Sequence, residues 1–203
     1  MTGRPRTFDR EAVLDEALEV FWHQGYEATS VQDLVEAMGI HRASLYNTFG
    51  GKHALYLEAL RRYEDEWMDG LMDTLHAADD APSALRALLE RVADEAASCP
   101  KQGSCLLTNA ATERGHHDDE AAKRVRANFQ RIEDALCEVL RRGVERGTLP
   151  AQTRPRARAR SLLTTIQGLR VLARTRPDRG ALQDVVDASL RGLQGTEHAP
   201  DGP

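Results

Sequence analysis

Between residues 9 and 24 the apolar positions Val13, Leu14, Ala17, Leu18 and Phe21 recur at three- and four-residue steps, the stripe of an amphipathic helix. Asp9 stands where an N-cap belongs and Gly25 where the helix must stop. Thr29-Ser30-Val31-Gln32 then fits a capping-box opening, and Val31, Leu34, Val35 and Met38 supply the buried face of a second helix that Gly39 ends. The next segment, GIHRASLYNTFGGK over residues 39–52, has a different balance. Only Ile40, Leu45 and Phe49 can turn inward there, which leaves His41, Arg42, Ser44, Tyr46 and Asn47 outward or at the margin of a third short helix. From Leu55 through Leu60, Tyr63, Trp67 and Leu71 to Leu75 the helical period continues in one long element. Further helices are expected at about 82–98, 104–113, 118–146, 155–175 and 178–193, each bounded by Gly, Pro or acidic caps. No alternating Val/Ile/Thr run suggests a strand, so the expected fold is all-α.

Composition agrees with this pattern. The 203 residues are 41% hydrophobic and 29% charged, enough to bury a substantial core in one large domain or two small ones. No run approaches the length of a membrane span, and the first ten residues lack the apolar stretch of a secretory signal, so a cytoplasmic protein with no membrane partner is expected. Cys99, Cys105 and Cys137 form no CxxC pair and point to free thiols. The net charge of −5 is unfavourable for a nucleic-acid partner, but position matters more than the sum. In residues 1–53 the basic side chains are Arg4, Arg6 and Arg10 at the start and Arg42 and Lys52 flanking the third helix, whereas the acids lie mostly within the first two helices.

A helix of eight residues is about 12 Å long and suits a major groove of that width. The second helix, the Gly39 turn and the third helix make a helix-turn-helix whose second member presents side chains to base edges. Arg42 is the candidate for guanine and Ala43 for a thymine methyl; Ser44 and Tyr46 can donate to bases or phosphates, and Asn47, Thr48 and Lys52 can hold the backbone. Amides at the Thr29 helix start offer another phosphate contact, and Arg4 and Arg6 suit a minor groove, although a mobile terminus explains them as well.

The order of features over residues 9–57 resembles the DNA-binding domain of the TetR/AcrR family of bacterial transcription regulators. The residues carrying the resemblance are Gly25-Tyr26, Ala28-Thr29-Ser30, Gly39, Leu45-Tyr46, Phe49 and Lys52. His41 and Gly50-Gly51 depart from the family's usual Ser or Thr cap and its Pro or Lys with Ser. The resemblance implies a DNA reader over residues 1–52, an all-helical ligand-binding and dimerisation bundle over 53–194, and a disordered tail at 195–203. It further implies a homodimer joined through the last two helices, with two readers roughly 34 Å apart on a near-palindromic double-stranded operator. The faces concerned carry Leu162, Leu163, Ile166, Leu169, Val171 and Leu172, then Leu182, Val185, Val186, Ala188, Leu190 and Leu193, and they equally suit closure of a monomer's own core.

Trp67, Met68, Leu71, Phe129 and Leu136 can line a small-molecule site or simply fill a core. In the segment KQGSCLLTNA, Gly103 and Ser104 are expected to cap a short helix and so place Cys105 in its first turn, where unpaired amides favour a thiolate. The segment resembles a subgroup of the family that opens this helix with Gly-Cys-Leu, which implies an electrophile or oxidant sensor; a small buried hydrophobe is the alternative, and Cys99, six positions earlier, can resolve an oxidised Cys105 only if the two approach. Cys137 reads as packing, and His116-His117-Asp118-Asp119 reads as a charged helix start rather than a metal site. The run Arg154, Arg156, Arg158 and Arg160 reads as a solvated face. No nucleophile–base pair, phosphate loop or metal motif appears, so neither enzymatic activity nor a cofactor is expected; a helical ligand carrier or thiol-dependent enzyme is the rival to a repressor answering to a small-molecule or electrophile inducer.

Overall fold

The computed structural model describes residues 8–98, 105–175 and 178–193. Arg4, Arg6, Cys99, Gly103, Ser104 and the tail from residue 195 lie outside the described residues. Among those described, every regular element is helical: α1 (Arg10–Gln24), α2 (Val31–Ala37), α3 (Arg42–Phe49), α4 (Lys52–His76), α5 (Ala81–Ser98), α6 (Leu106–Arg114), α7 (Asp119–Glu145), α8 (Pro155–Thr175) and α9 (Arg179–Arg191). The all-α expectation holds, and among the described residues no helix is long and apolar enough to cross a membrane.

The chain divides into two compact units. The first comprises residues up to Trp67 together with Cys105–Val125, and the second comprises Met68–Ser104 with everything from Arg126 onward. Helices α4 and α7 therefore each contribute to both.

In the first unit the sequence stripes meet as their spacing demands. Val13, Leu14, Ala17, Leu18 and Phe21 of α1 are buried, as are Leu34, Val35 and Met38 at α2 and Leu45 and Phe49 of α3. Asp9 caps α1 by accepting from the Glu11 amide at 2.9 Å. The opening of α2 differs from expectation by one residue. Ser30 is the N-cap, accepting from Asp33 N at 3.1 Å, while the Asp33 carboxylate accepts from Ser30 N at 2.7 Å. These reciprocal bonds hold the Asp33 carboxyl below its ordinary pKa. Thr29 is only 1% exposed, and its hydroxyl donates to the Gly25 carbonyl at 2.6 Å. The inward Thr29 hydroxyl closes the α1–α2 turn, and the phosphate contact expected at this helix start is one through its amides, not through this hydroxyl.

The second unit is built on α5, which packs against both α8 and α9 while those two pack on each other. Its core draws Leu85, Leu88, Leu89 and Val92 from α5, Leu162, Ile166 and Leu169 from α8, and Leu182, Val186 and Leu190 from α9. Arg86 bonds Asp187 at 3.0 Å across α5 and α9. On the other side of α5, Arg91 donates to the Gly70 carbonyl and, at 2.7 Å, to Thr74 Oγ1. In the basic run before and within α8, Arg156 and Arg160 each reach Glu133 of α7 at 3.1 Å, so these two guanidinium groups are engaged within the chain. The apolar residues of α8 split between two directions. Leu162, Ile166 and Leu169 close this core, whereas Val171 and Leu172 are 52% and 49% exposed.

Candidate nucleic-acid interface

The interface is built on α3. Leu45 and Phe49, one turn apart, fasten it to the core, and helical geometry then fixes which neighbours point away. Arg42, Ala43, Tyr46 and Asn47 are exposed; Ser44 and Thr48 sit at the margin. Gly39, with φ of 61°, makes the tight α2–α3 turn, and the Ile40 amide closes onto the Val35 carbonyl at 3.2 Å. His41 is the α3 N-cap, but its side chain makes no capping bond. The Ser44 amide turns back to the His41 carbonyl at 2.8 Å, so the absent side-chain cap bears on the Arg42 and Ala43 amides at the start of α3. The Arg42 guanidinium lies 5.9 Å from the Tyr46 ring centroid, and Tyr46 itself is 44% exposed. A cation and a phenol thus share one outward surface.

Lys52, the first residue of α4, follows directly on the two glycines that end α3. Its ammonium stands 4.2 Å from the Tyr26 ring centroid, and the Arg114 guanidinium stands 4.6 Å from the same centroid. Burial holds the Lys52 pKa below its ordinary value; Glu27 opposes this and Arg114 reinforces it. Burial also raises the Tyr26 phenol. Arg114, at the end of α6, pairs with Glu27 and reaches Asp118 at 3.5 Å. Asp118 accepts from the Ala121 amide at 3.0 Å, capping α7, and meets His53 Nε2 at 2.8 Å. Arg10 has a structural role, lying over the Phe49 ring at 4.9 Å and pairing with Glu58 of α4.

The sequence singles out the α3 face and Lys52 but does not place Tyr26, Glu113 and Arg114 beside Lys52, because Tyr26 and Glu113, like Glu27 and Arg114, meet across 87 positions of chain. The only local signal was the Gly25-Tyr26 pair itself. Gly25 adopts φ 79°, ψ 172°, and a Cβ there would collide with the Glu113 carboxylate that accepts from Tyr26 N at 2.9 Å. Gly25→Ala is expected to destabilise the protein by about 1–3 kcal/mol, since that backbone region is essentially restricted to glycine. A thermal melt beside the parent chain measures it.

Cys105 also departs from expectation. It is the N-cap of α6 and not a first-turn residue, it makes no side-chain capping bond, and it is 2% exposed. The helix opens at Leu106, and Leu106, Leu107 and Ala110 are its buried residues. Cys137 is half-buried on α7. Trp67, Met68 and Leu71 are buried and Phe129 is half-buried.

Residues 13–59 match the model of the bacterial regulatory proteins of the tetR family, and residues 81–189 match the tetracyclin repressor-like C-terminal domain. The HTH-type transcriptional regulator YezE of Bacillus subtilis is 35% identical over 192 residues, covering 94% of this chain and 99% of its own. The transcriptional repressor ComR of Escherichia coli is 31% identical over 190 residues, with 93% and 90% covered. Among solved structures, a cysteine-substituted variant of the TetR family regulator CifR in complex with a 26-base-pair operator DNA superposes with a TM-score of 0.86 at 34% identity, covering 94% of this chain and all of that one.

Proposed function

Because the chain belongs to the TetR family of DNA-binding transcriptional regulators and is not an enzyme, we propose that it is a cytoplasmic repressor that binds a near-palindromic operator as a homodimer and is released by a small-molecule or electrophile inducer. The observation that carries this reading is the outward face of α3, where Arg42, Ala43, Tyr46 and Asn47 are exposed while Leu45 and Phe49 anchor the helix from behind. Arg42 is assigned to a guanine edge, Ala43 to a thymine methyl, and Ser44, Tyr46, Asn47, Thr48 and Lys52 to bases and backbone. Residues 1–52 supply these contacts, and residues 53–194 bind the inducer and join the two copies through α8 and α9. The repressor name of ComR and the operator complex of the CifR variant support this reading. Met68 and Leu71 of α4 and Phe129 of α7 are the proposed inducer contacts, and α4, continuous from Lys52 to His76, carries the signal toward the reader.

The test is a fluorescence-anisotropy titration at fixed salt against DNA flanking the protein's own gene, before and after a thiol-reactive electrophile. Specific binding that treatment abolishes, and that survives treatment in Cys105→Ser, assigns the signal to the thiol; binding unaffected by treatment assigns it to a non-covalent inducer. Absence of specific binding overturns the proposal. On the same DNA, Arg42→Ala is expected to cost about 1–3 kcal/mol and to relax the preference at one base pair. Equal weakening on all sequences would instead make Arg42 a phosphate contact.

A further inference from the structure

We propose that Tyr26 is a positioning residue for operator binding: the face of its ring holds the Lys52 ammonium where a DNA phosphate meets it. The inference rests on the proposed role of Lys52 as a backbone contact and adds to it a residue outside the helix-turn-helix surface. A lysine carries its charge on a flexible four-carbon stem, so an unheld ammonium loses much freedom on meeting a phosphate. Here the ammonium is already placed, 4.2 Å from the ring centroid, by attraction to the negative face of the aromatic system. Glu27, Asp33 and Glu113 act on the Lys52 ammonium through space, but among the described residues none forms an ion pair with it.

The ring is itself fixed from several directions. Tyr26 N donates to the Glu113 carboxylate at 2.9 Å, and the ring packs 4.7 Å from Tyr56 and 6.2 Å from Phe21, centroid to centroid. Arg114 shares the ring at 4.6 Å but is held independently by Glu27 and Asp118. Of the two cations on the ring, Lys52 is the one for which the ring is the principal partner. It is also the one placed immediately after the reading helix, with α3 ending at Phe49 and α4 opening at Lys52.

The experiment measures the dependence of operator affinity on salt for the full-length protein, comparing the parent with Lys52→Ala, Tyr26→Phe, Tyr26→Leu and the Tyr26→Leu/Lys52→Ala double variant. A further variant carries pentafluorophenylalanine at position 26, which keeps the ring's shape and reverses the charge of its face. Lys52→Ala is expected to reduce the slope of log affinity against log salt by about one, the loss of one phosphate contact. Tyr26→Leu and the fluorinated ring are expected to reproduce that loss, Tyr26→Phe to match the parent, and Tyr26→Leu to add nothing once Lys52 is gone. The parent slope in the fluorinated variant, alongside a reduced slope in Lys52→Ala, overturns the positioning role while leaving the Lys52 contact intact. The parent slope in Lys52→Ala removes the phosphate contact itself. Should Tyr26→Leu fail to fold, the fluorinated variant compared with Tyr26→Phe decides the question, since both keep a six-membered ring without the hydroxyl and differ chiefly in the charge of its face.

Discussion

Val171→Glu combined with Leu172→Glu is expected to convert the protein to a monomer and to weaken operator binding by about 100-fold or more, the scale on which two linked readers outperform one. In the single chain these side chains are 52% and 49% exposed, so the change touches neither α5 nor the buried face of α8, and the helical content is expected to remain that of the parent. A proposed symmetric interface presents each position twice, placing four carboxylates in an apolar contact without partners. Gly168 lies one turn before Val171 and Leu172, and a Cβ added there would meet nothing within 4 Å. This outward stripe therefore has room for the backbone of a second helix to approach. Light scattering after size exclusion reads the mass, and anisotropy reads the affinity. A dimer that persists in the double variant would locate the interface elsewhere.

Asp118→Ala is expected to cost about 3 kcal/mol, combining the loss of a helix cap with the breaking of a largely buried ion pair. The Asp118 side chain is 5% exposed and serves Ala121 N, His53 and Arg114 at once. For a chain of this length the corresponding fall in melting temperature is roughly 6–12 °C. Burial raises the Asp118 pKa, but the Ala121 amide, His53 and Arg114 together lower it further, leaving it below its ordinary value. The sign of the pH dependence follows. A carboxyl with a depressed folded pKa contributes stability that is present above the unfolded value of about 4 and is lost as pH falls through the folded one. Below pH 4 the parent is therefore expected to lose stability more steeply than Asp118→Asn, which keeps an acceptor for the cap and has no charge to titrate. Urea denaturation at a series of pH values measures the difference, and parallel curves for the two proteins would remove the electrostatic part of the argument.

The sequence was most informative where a structural feature is local. The α1 stripe, the Gly25 and Gly39 stops and the anchors Leu45 and Phe49 lie within a few residues of what they determine, and the structure reproduces them. Caps were legible only to within one position. Thr29-x-x-Gln32 and Ser30-x-x-Asp33 both satisfy a capping pattern, and burial of Thr29 selects the second. Similarly, Ser104 was a plausible cap for α6, yet the helix starts one residue later, with Cys105 in the cap position. The cluster of Tyr26, Lys52, His53, Arg114 and Asp118 could not be read at all as a cluster. Its members are ordinary in their local contexts, and Asp118 looked only like the start of a helix. What makes them a unit is the return of α6 and the start of α7 to α1 and α4, which no local periodicity encodes.

That return has a consequence for how the molecule is made. The unit that holds the reading helix is discontinuous, with residues 105–125 completing what the first 67 begin. During synthesis at about 5–20 residues per second, the ribosome needs several further seconds to supply the missing segment. Until then Tyr26 lacks Glu113 and Arg114, and His53 lacks Asp118. The unit that is begun first is thus not complete until residue 125 has been made. A recombination event that exchanged only the first 67 residues between two relatives would separate these partners, so the module that must be inherited together is larger than the proposed DNA-reading segment.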